Sequence, residues 1–332
     1  MKDLKLSLLL ILISVFTSSC NKTMSQEELN DKVSSGVVLV FNSYYYSITF
    51  PNGEELFFTG IKNGKLVDLT DDEEEIKTES NGSSGTGFFI SEDGLILTNR
   101  HVARPEVDNE EIKDVLKGLK RYLKNMYSEY MEKVAEEYEQ YEGSPSKQAK
   151  CVELYNNYKK EREEIDDMDM NEVDVTTHTE IYVAFNDSHI VKLEDLTKCD
   201  IVAVSEDEKV DLAMIQLKDG ETPEGSYIFK LKDNDEELTM DDKLYMIGYN
   251  KGLTISKTVQ GIRSQIYSGN ITQKGDGEKI LYSIPSLPGS SGSPVVDEYG
   301  NLVAVNFAGF TGTQNFNYGI PSKRIREFLD EN

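Results

Sequence analysis

The feature that most constrains the fold is a series of short apolar segments, each closed by residues that favour turns. The turn signals at 51–53 (Pro-Asn-Gly) and 92–94 (Glu-Asp-Gly) each separate two such segments. Parallel strands need a long crossover, whereas strands joined by short turns pair antiparallel. Two groups of such strands predict two β-barrels rather than a parallel sheet. The predicted strands lie at 36–41, 44–50, 55–59, in a hairpin across 85–102, and at 179–185, 189–193, 201–204, 210–217, 243–249, 259–262, 280–284 and 302–307.

One long segment has a different character. From Ile112 to Tyr141 the apolar residues recur every three or four positions, which predicts a helix with one apolar face. Ser144 and Pro145 then supply an N-cap and a first helical residue for a second helix. The sequence therefore predicts an antiparallel helical hairpin, at about 106–172, inserted in a β domain.

The N-terminus has the form of a targeting segment. Lys2 and Lys5 precede a short apolar core at 8–16, and small residues then lead to Cys20. The core is too short to span a membrane comfortably. This order resembles a bacterial lipoprotein signal, in which the cysteine becomes the lipidated first residue of the mature protein.

We therefore expect a signal peptide at 1–20, a tether at 21–34 and a lipid on Cys20. The lipid would anchor the protein in the bacterial cell envelope, on the outer membrane or on the periplasmic face. Thr17 stands where leucine is usual, which leaves plain secretory cleavage nearby as an alternative. A buried cysteine in an uncleaved apolar helix is the other alternative.

Composition narrows the range of partners and cofactors. The formal net charge is −25, and nucleic acid or an anionic membrane surface would repel so acidic a chain. The cysteines and histidines form no CxxC pair and no metal-ligand spacing, so we expect no metal and no other cofactor. Cys151 and Cys199 could form one disulfide if Cys20 is used otherwise, and separate reduced thiols fit the sequence at least as well.

The most informative stretch lies at 286–296, where small turn-forming residues are bounded by apolar ones. Gly289 and Gly292 flank Ser291 and leave little bulk around its hydroxyl. A nucleophilic serine needs such surroundings, with backbone N–H groups free to point at a developing oxyanion. The same composition is also typical of an ordinary surface loop.

Two residues upstream complete a possible catalytic set. His101 follows the second strand of the hairpin at 85–102, and Asp211 stands near the start of the apolar strand at 210–217. Each has an ordinary explanation, since histidine occurs at strand ends and aspartate in turns. In a catalytic set, an aspartate holds an imidazole in one tautomer and the imidazole removes the proton of a serine hydroxyl.

The strings at 85–102, 211–217 and 288–294 together resemble those of trypsin-like serine proteases of the bacterial HtrA/DegP type. The resemblance covers roughly 35–41 and 83–329. It implies an all-β core of chymotrypsin-like fold, with two six-stranded antiparallel β-barrels, the triad in the cleft between them and the helical hairpin as an insertion.

The resemblance also implies domain boundaries. The protease domain would occupy 35–332, with a first barrel at about 35–220 and a second at about 226–321. The C-terminal PDZ domain of the HtrA type is not expected, because the chain ends a few residues after the second barrel.

Residue by residue, the resemblance assigns catalytic roles. Ser291 would attack the substrate carbonyl, and His101 would take its proton and later donate it to the leaving amine. Asp211 would orient His101 and stabilise its imidazolium form. The backbone N–H groups of Gly289 and Ser291 would form the oxyanion hole.

The nucleophile loop departs from the family pattern at two positions. Ser290 stands where the family has Asn or Asp, and Ser293 replaces a glycine. Both replacements are small, so we expect the loop to form. Ser290 offers no carboxylate to a freed N-terminal ammonium, so activation of the trypsin kind is not expected.

The substrate pocket is expected, by the same resemblance, near Pro285, Ser286 and Leu287 and beside Asn306 and Phe307. None of these residues is acidic, so the pocket would not attract Lys or Arg. We expect a small or medium apolar side chain at the cleavage site.

Three functions fit these observations. The leading hypothesis is an envelope-anchored serine endopeptidase that acts in protein quality control. Its partners would be protein or peptide substrates and, through Cys20, a membrane. The first alternative is a protease-like binding or structural lipoprotein with little hydrolytic activity, which would bind its partner through the helical insertion. The second is an esterase with the same triad. The sequence does not indicate an oligomeric state.

Overall fold

The computed structural model describes residues 23–332, except 208, 233–237, 274 and 310–316. The predicted signal segment and Cys20 lie outside the described residues. The strands are β1 (Val37–Thr49), β2 (Glu55–Phe58), β3 (Gly60–Lys62), β4 (Lys65–Val67), β5 (Asn81–Phe89), β6 (Leu95–Thr98), β7 (Asp174–Phe185), β8 (Thr197–Val204), β9 (Ala213–Leu217), β10 (Lys243–Gly248), β11 (Lys257–Thr258), β12 (Gly261–Ile262), β13 (Gln265–Gln273), β14 (Ile280–Tyr282), β15 (Pro294–Val296), β16 (Leu302–Gly309) and β17 (Asn317–Pro321). The α-helices are α1 (Gln26–Val33), α2 (Glu73–Thr78), α3 (Arg100–Ala103), α4 (Asn109–Gln140), α5 (Pro145–Asp167), α6 (Leu253–Ser256) and α7 (Ser322–Glu331).

Six strands form the first barrel. They lie in the order β1-β5-β6-β9-β8-β7, and β1 also pairs with β7, which closes the ring, while β2 continues the sheet beside β1. The hairpin predicted across 85–102 is present, with Phe88 opposite Leu97. The interior is filled by aliphatic and aromatic side chains, among them Val38, Val40, Phe89, Ile96, Val183, Ala213 and Ile215.

The second barrel is also six-stranded and closed. Its strand order is β10-β13-β14-β17-β16-β15, and its six strand pairings are all antiparallel. The predicted fold class, two six-stranded antiparallel barrels, is therefore confirmed. A further hydrophobic cluster draws on strands of both barrels and includes Leu39, Phe88, Leu97, Met214, Tyr245, Ile247 and Val305.

The chain divides into two compact units. The first consists of the described residues up to Phe41, with Ser84–Ala103 and Ile181–Asn332, and it contains the second barrel and part of the first. The second consists of Asn42–Ser83 and Arg104–Glu180, and it contains the helical hairpin.

The second unit shows why the hairpin forms. The Asp108 carboxylate accepts the backbone N–H groups at the start of α4, and Pro145 is the first residue of α5, as the sequence predicts. The apolar face of α4 is not packed on α5 alone. It shares a core with the adjoining strands, made of Tyr46, Ile48, Phe58, Ile112, Leu116, Met170 and Val173. Within the described part of the chain, no helix combines the length and the apolar composition needed to cross a membrane.

Three strand predictions were wrong in detail. The segment 259–262 is not one strand, because Val259 and Gln260 form the turn between β11 and β12. The strands predicted at 36–41 and 44–50 are one continuous strand, β1, because its pairing continues through the polar residues between them. The segment 189–193 is not a strand, and β8 takes its place beside β7. The Asp195 carboxylate accepts the backbone N–H groups of Val191 and Lys192, at 2.8 and 2.9 Å, so a turn forms there instead.

The two described cysteines are unpaired. Cys151 and Cys199 are both buried free thiols. Burial raises the pKa of the Cys199 thiol to about 12, which keeps it protonated and unreactive at neutral pH.

Candidate active site

The loop around Ser291 consists of two consecutive tight turns that share Ser290. In the first, the Ser290 N–H donates to the Leu287 carbonyl at 3.0 Å, and in the second the Ser290 carbonyl accepts the Ser293 N–H at 3.0 Å. The third residue of each turn is a glycine, Gly289 with φ +98° and Gly292 with φ +83°. A type II turn requires this left-handed value, so the Pro-Gly and Ser-Gly pairs of the sequence determine the loop conformation.

Crowding is a second reason for the two glycines. A Cβ atom on Gly289 would lie 2.4 Å from the Tyr249 carbonyl oxygen, and one on Gly292 would lie 2.1 Å from that of Thr86. No side chain fits at such distances. The loop is therefore pressed against both barrels, on either side of Ser291.

The backbone of the loop presents two free donors. The Pro288 carbonyl accepts the Lys251 N–H at 2.6 Å, and the Ser290 carbonyl is also bonded within the protein. Carbonyl and N–H point in opposite directions in a trans peptide, so the N–H groups of Gly289 and Ser291 face away from these partners. Among the described residues, neither N–H has an acceptor. Two free, fixed N–H groups are what an oxyanion hole requires.

Asp211 holds His101 by two hydrogen bonds. The His101 ring Nδ1–H donates to Asp211 Oδ2 at 2.6 Å, and the His101 backbone N–H donates to Asp211 Oδ1 at 3.0 Å. The Asp211 side chain is 18% exposed and that of His101 is 50% exposed. In the neutral ring, this bond places the proton on Nδ1 and leaves Nε2 without one, which is the form that can act as a base.

Local structure explains the position of His101. Strand β6 ends at Thr98, and Asn99 then accepts backbone N–H groups that start the short helix α3. The Asn99 side-chain amide donates to the Asp211 carbonyl at 2.7 Å, which ties the two chain segments together. The prediction that His101 stands where the chain leaves the sheet agrees with this arrangement.

Ser291 approaches the same region through its backbone. Its carbonyl accepts the Thr86 N–H at 2.8 Å. A Cβ atom on Gly85 would lie 2.6 Å from the side chain of Val102, next to His101, and 3.2 Å from the Ser291 carbonyl oxygen. No hydrogen bond between the Ser291 and His101 side chains is present in the described part of the chain. In resting enzymes such contacts are often long and shorten when substrate binds.

The residues predicted to line a substrate pocket have varied environments. Asn306 is 1% exposed, and its amide is bonded to other residues of the second barrel. The Ser286 hydroxyl lies 2.6 Å from that of Ser290. Phe307 is half-buried, and the Lys279 ammonium lies 5.5 Å from its ring centre. Pro285 and Leu287 are half-buried, and the pocket itself stays a prediction.

Sequence reasoning missed the residue that connects the first barrel to the nucleophile loop. Thr86 is fully buried, and its hydroxyl donates to the Gly289 carbonyl at 2.9 Å and accepts the Tyr249 N–H at 3.0 Å. The only signal was its place in the Gly-Thr-Gly string at 85–87. The described residues contain no group of three or more His, Cys, Asp or Glu side chains that could hold a metal ion.

Residues 169–305 match the family model of the trypsin-like peptidase domain. The matched segment includes Asp211 and Ser291, and His101 precedes it. Together with the two-barrel fold, the match supports a serine protease.

One solved structure has a similar fold. An HtrA-type protease with a decapeptide aligns with a TM-score of 0.50 at 15% identity, over 93% of this chain and 66% of that chain. A serine endoprotease from Yersinia pestis aligns with a TM-score of 0.47 at 14% identity, over 93% of this chain and 67% of that one. The chain spans about two thirds of their length, and the likeness concerns the fold. A comparison with curated protein sequences finds no match.

Proposed function

We propose that this protein is a serine endopeptidase in which Ser291 is the nucleophile, His101 the general base and Asp211 the residue that orients the base. The observation that carries the proposal is the doubly bonded His101–Asp211 pair, in one compact unit with a serine loop that has two free N–H groups. A histidine with a purely structural role does not need a half-exposed ring. A turn with a purely structural role does not need two N–H groups without acceptors.

The proposed reaction follows from these groups. Ser291 Oγ attacks the substrate carbonyl carbon while His101 Nε2 takes the hydroxyl proton, and the carbonyl oxygen becomes an oxyanion bound by the N–H groups of Gly289 and Ser291. Each such donor is typically worth about 3 kcal/mol of barrier. The C–N bond then breaks, and the amine leaves with the proton from Nε2. Water then attacks the acyl carbon while His101 Nε2 takes a proton from it. The bond to Ser291 Oγ breaks, Oγ receives that proton, and the acid leaves.

The charge near the predicted pocket supports cleavage after an apolar side chain. Phe307 carries the Lys279 ammonium over its ring, and that ammonium also lies 5.3 Å from the ring centre of Tyr318. A cation there repels a Lys or Arg side chain of the substrate. We expect peptides with Val, Ala or Leu before the cleaved bond to be hydrolysed faster than otherwise identical peptides with Lys.

The test uses a fluorophosphonate probe and unfolded casein. The wild-type protein should be labelled and should cleave casein, and Ser291→Ala should do neither. Ser293→Ala is the matched control, because the Ser293 hydroxyl is buried and makes no hydrogen bond among the described residues. It should retain labelling. An unlabelled wild-type protein refutes the enzyme and favours a binding lipoprotein, and labelling with ester but no peptide hydrolysis favours an esterase.

We also propose that a lipid on Cys20 anchors the protein in the bacterial cell envelope, where it degrades misfolded proteins. The order of residues from Lys2 to Cys20 supports this proposal. In cells, the wild-type protein should fractionate with membranes and incorporate labelled fatty acid, and Cys20→Ser should do neither. Equal fractionation of the two forms refutes the anchor. Equal cleavage of folded and unfolded forms of one substrate protein argues against quality control.

A further inference from the structure

Asn306 lies beneath the nucleophile loop and contacts it through three different groups. Its backbone N–H donates to the Ser293 carbonyl and its own carbonyl accepts the Gly292 N–H, both at 2.9 Å. Its side-chain Nδ2 donates to the Ser290 carbonyl at 3.0 Å. Asn306 is 1% exposed, so it can contact a substrate only poorly, although the sequence assigns it to the pocket.

The orientation of the Asn306 amide is fixed by the Ser290 carbonyl, which can only accept a hydrogen bond. The hydroxyl of Tyr282, which is fully buried, donates to Asn306 Oδ1 at 2.8 Å. Because the Ser290 carbonyl needs a donor, the NH₂ group of the amide faces the loop and its oxygen faces Tyr282, whose hydroxyl also lies 3.2 Å from the Tyr318 carbonyl oxygen. A buried amide bonded at both ends keeps a single orientation.

The Ser290 carbonyl belongs to the same peptide group as the Ser291 N–H. Because the two point in opposite directions, a donor that fixes the carbonyl also fixes the N–H. The turn bond from the Ser293 N–H is the other donor to this carbonyl, at 3.0 Å. Turn hydrogen bonds of this kind are often open in proteins, so one of them alone holds a peptide plane loosely.

We propose that Asn306 is a positioning residue for the oxyanion hole, which aims the Ser291 N–H at the developing oxyanion by holding the Ser290 carbonyl. The inference rests on the proposed endopeptidase function. It also accounts for Ser290, which lacks the side-chain amide or carboxylate that the resembling proteases have at this position. Asn306 supplies a side-chain amide to this loop from the neighbouring strand β16.

The test compares Asn306→Ala and Asn306→Asp with the matched control Tyr282→Phe. Both Asn306 variants lose the donor to Ser290, and the Asp variant still accepts the Tyr282 hydroxyl. Tyr282→Phe removes the hydrogen bond at the opposite end of the same amide and keeps the donor. Activity on a peptide substrate, affinity for a peptide trifluoromethyl ketone, which forms an oxyanion, and the unfolding temperature are measured for each.

Removal of one oxyanion-hole donor typically lowers kcat by a factor of about 10²–10³. A donor that is present but misaimed should cost somewhat less, so we expect both Asn306 variants to lose roughly a hundredfold in kcat, with KM changed less than about threefold. The ketone should bind weaker by the same factor as kcat. Tyr282→Phe should stay within about threefold of the wild type in all three quantities.

The outcomes separate this inference from the proposed function. A wild-type protein without Ser291-dependent hydrolysis refutes the function. An active wild type with a folded Asn306→Ala variant of unchanged kcat refutes the positioning role alone. Equal losses in Asn306→Ala and Tyr282→Phe, accompanied by a raised KM, also refute it, because they indicate general loosening of the barrel. The alanine variant adds neither bulk nor charge, so it decides the question if the buried carboxylate of Asn306→Asp unfolds the protein.

Discussion

Asp211→Asn should abolish most of the activity while leaving the fold intact. The reason lies in the two hydrogen bonds that the Asp211 carboxylate accepts from His101, at 3.0 Å from the backbone N–H and at 2.6 Å from the ring. The backbone N–H can donate only to the amide oxygen of an asparagine. The amide NH₂ must then face the ring nitrogen Nδ1, which has to accept instead of donate.

This reversal moves the ring proton of His101 to Nε2, the atom that should take the proton of Ser291. The resulting tautomer cannot act as a base. The same exchange in the chymotrypsin-like mechanism lowers kcat by about 10⁴, or about 5 kcal/mol of barrier, and we expect a loss of that size here. The variant still forms two hydrogen bonds between residues 101 and 211, so the unfolding temperature should change by no more than a few degrees.

The assay is steady-state hydrolysis of a peptide substrate, with fluorophosphonate labelling as a second readout. Asp200→Asn is the control, because Asp200 is an exposed residue of β8 and its replacement removes the same charge from the same unit. It should keep wild-type kcat. If Asp211→Asn retains more than a tenth of the wild-type kcat, the His101–Asp211 pair does not orient the base.

Two further predictions concern stability. Gly292→Ala should lower the free energy of unfolding by several kcal/mol, because its Cβ would lie 2.1 Å from the Thr86 carbonyl oxygen. Gly277 is the control, since it has a similar φ of +85° and no atom would lie nearer than 4.0 Å to an added Cβ. Gly277→Ala should therefore cost only about 1–2 kcal/mol. Chemical denaturation of the two variants measures the difference, and equal losses contradict the role of crowding. Burial lowers the pKa of His178, whose ring stacks on that of Tyr45 at 4.7 Å, so protonation favours the unfolded chain. The contribution of His178 to stability is therefore complete above about pH 6.5, the pKa of histidine in the unfolded chain, and is lost as the pH falls below that value. His178→Phe should remove this contribution to the pH dependence of the free energy of unfolding, measured between pH 7.5 and 5.

The elements that the sequence predicted best depend on local signals. The hairpin at 85–102 has a turn signal between two apolar strands, and α5 begins at the Ser-Pro pair that marks its start. The strand predicted at 189–193 did not form, although its residues favour a strand. Its backbone N–H groups found a nearer acceptor in Asp195, a contact that no apolar pattern indicates.

The helical insertion illustrates a second limit. Its periodicity predicted two helices, and both formed, but periodicity does not say what covers an apolar face. The structure covers part of α4 with Tyr46, Ile48 and Phe58 from strands that precede it by more than fifty residues in the chain. Only the folded topology brings those residues to the helix, so the second compact unit could not be predicted from the hairpin alone.

In the candidate site, too, some features follow from local sequence and others depend on contacts made only in the folded chain. Side chains with distinctive chemistry, such as His101, Asp211 and Ser291, stand in recognisable strings, and these strings predict them as a catalytic set. The proposed oxyanion donors are backbone N–H groups, and their direction depends on what binds the carbonyl of the same peptide. Apart from the turn bond of Ser293, those partners are the Lys251 N–H and the Asn306 amide, which come from distant turns and strands and carry no catalytic signature. It follows that substitutions which change kcat but not KM should occur at residues such as Asn306, as well as in the strings by which the domain is recognised.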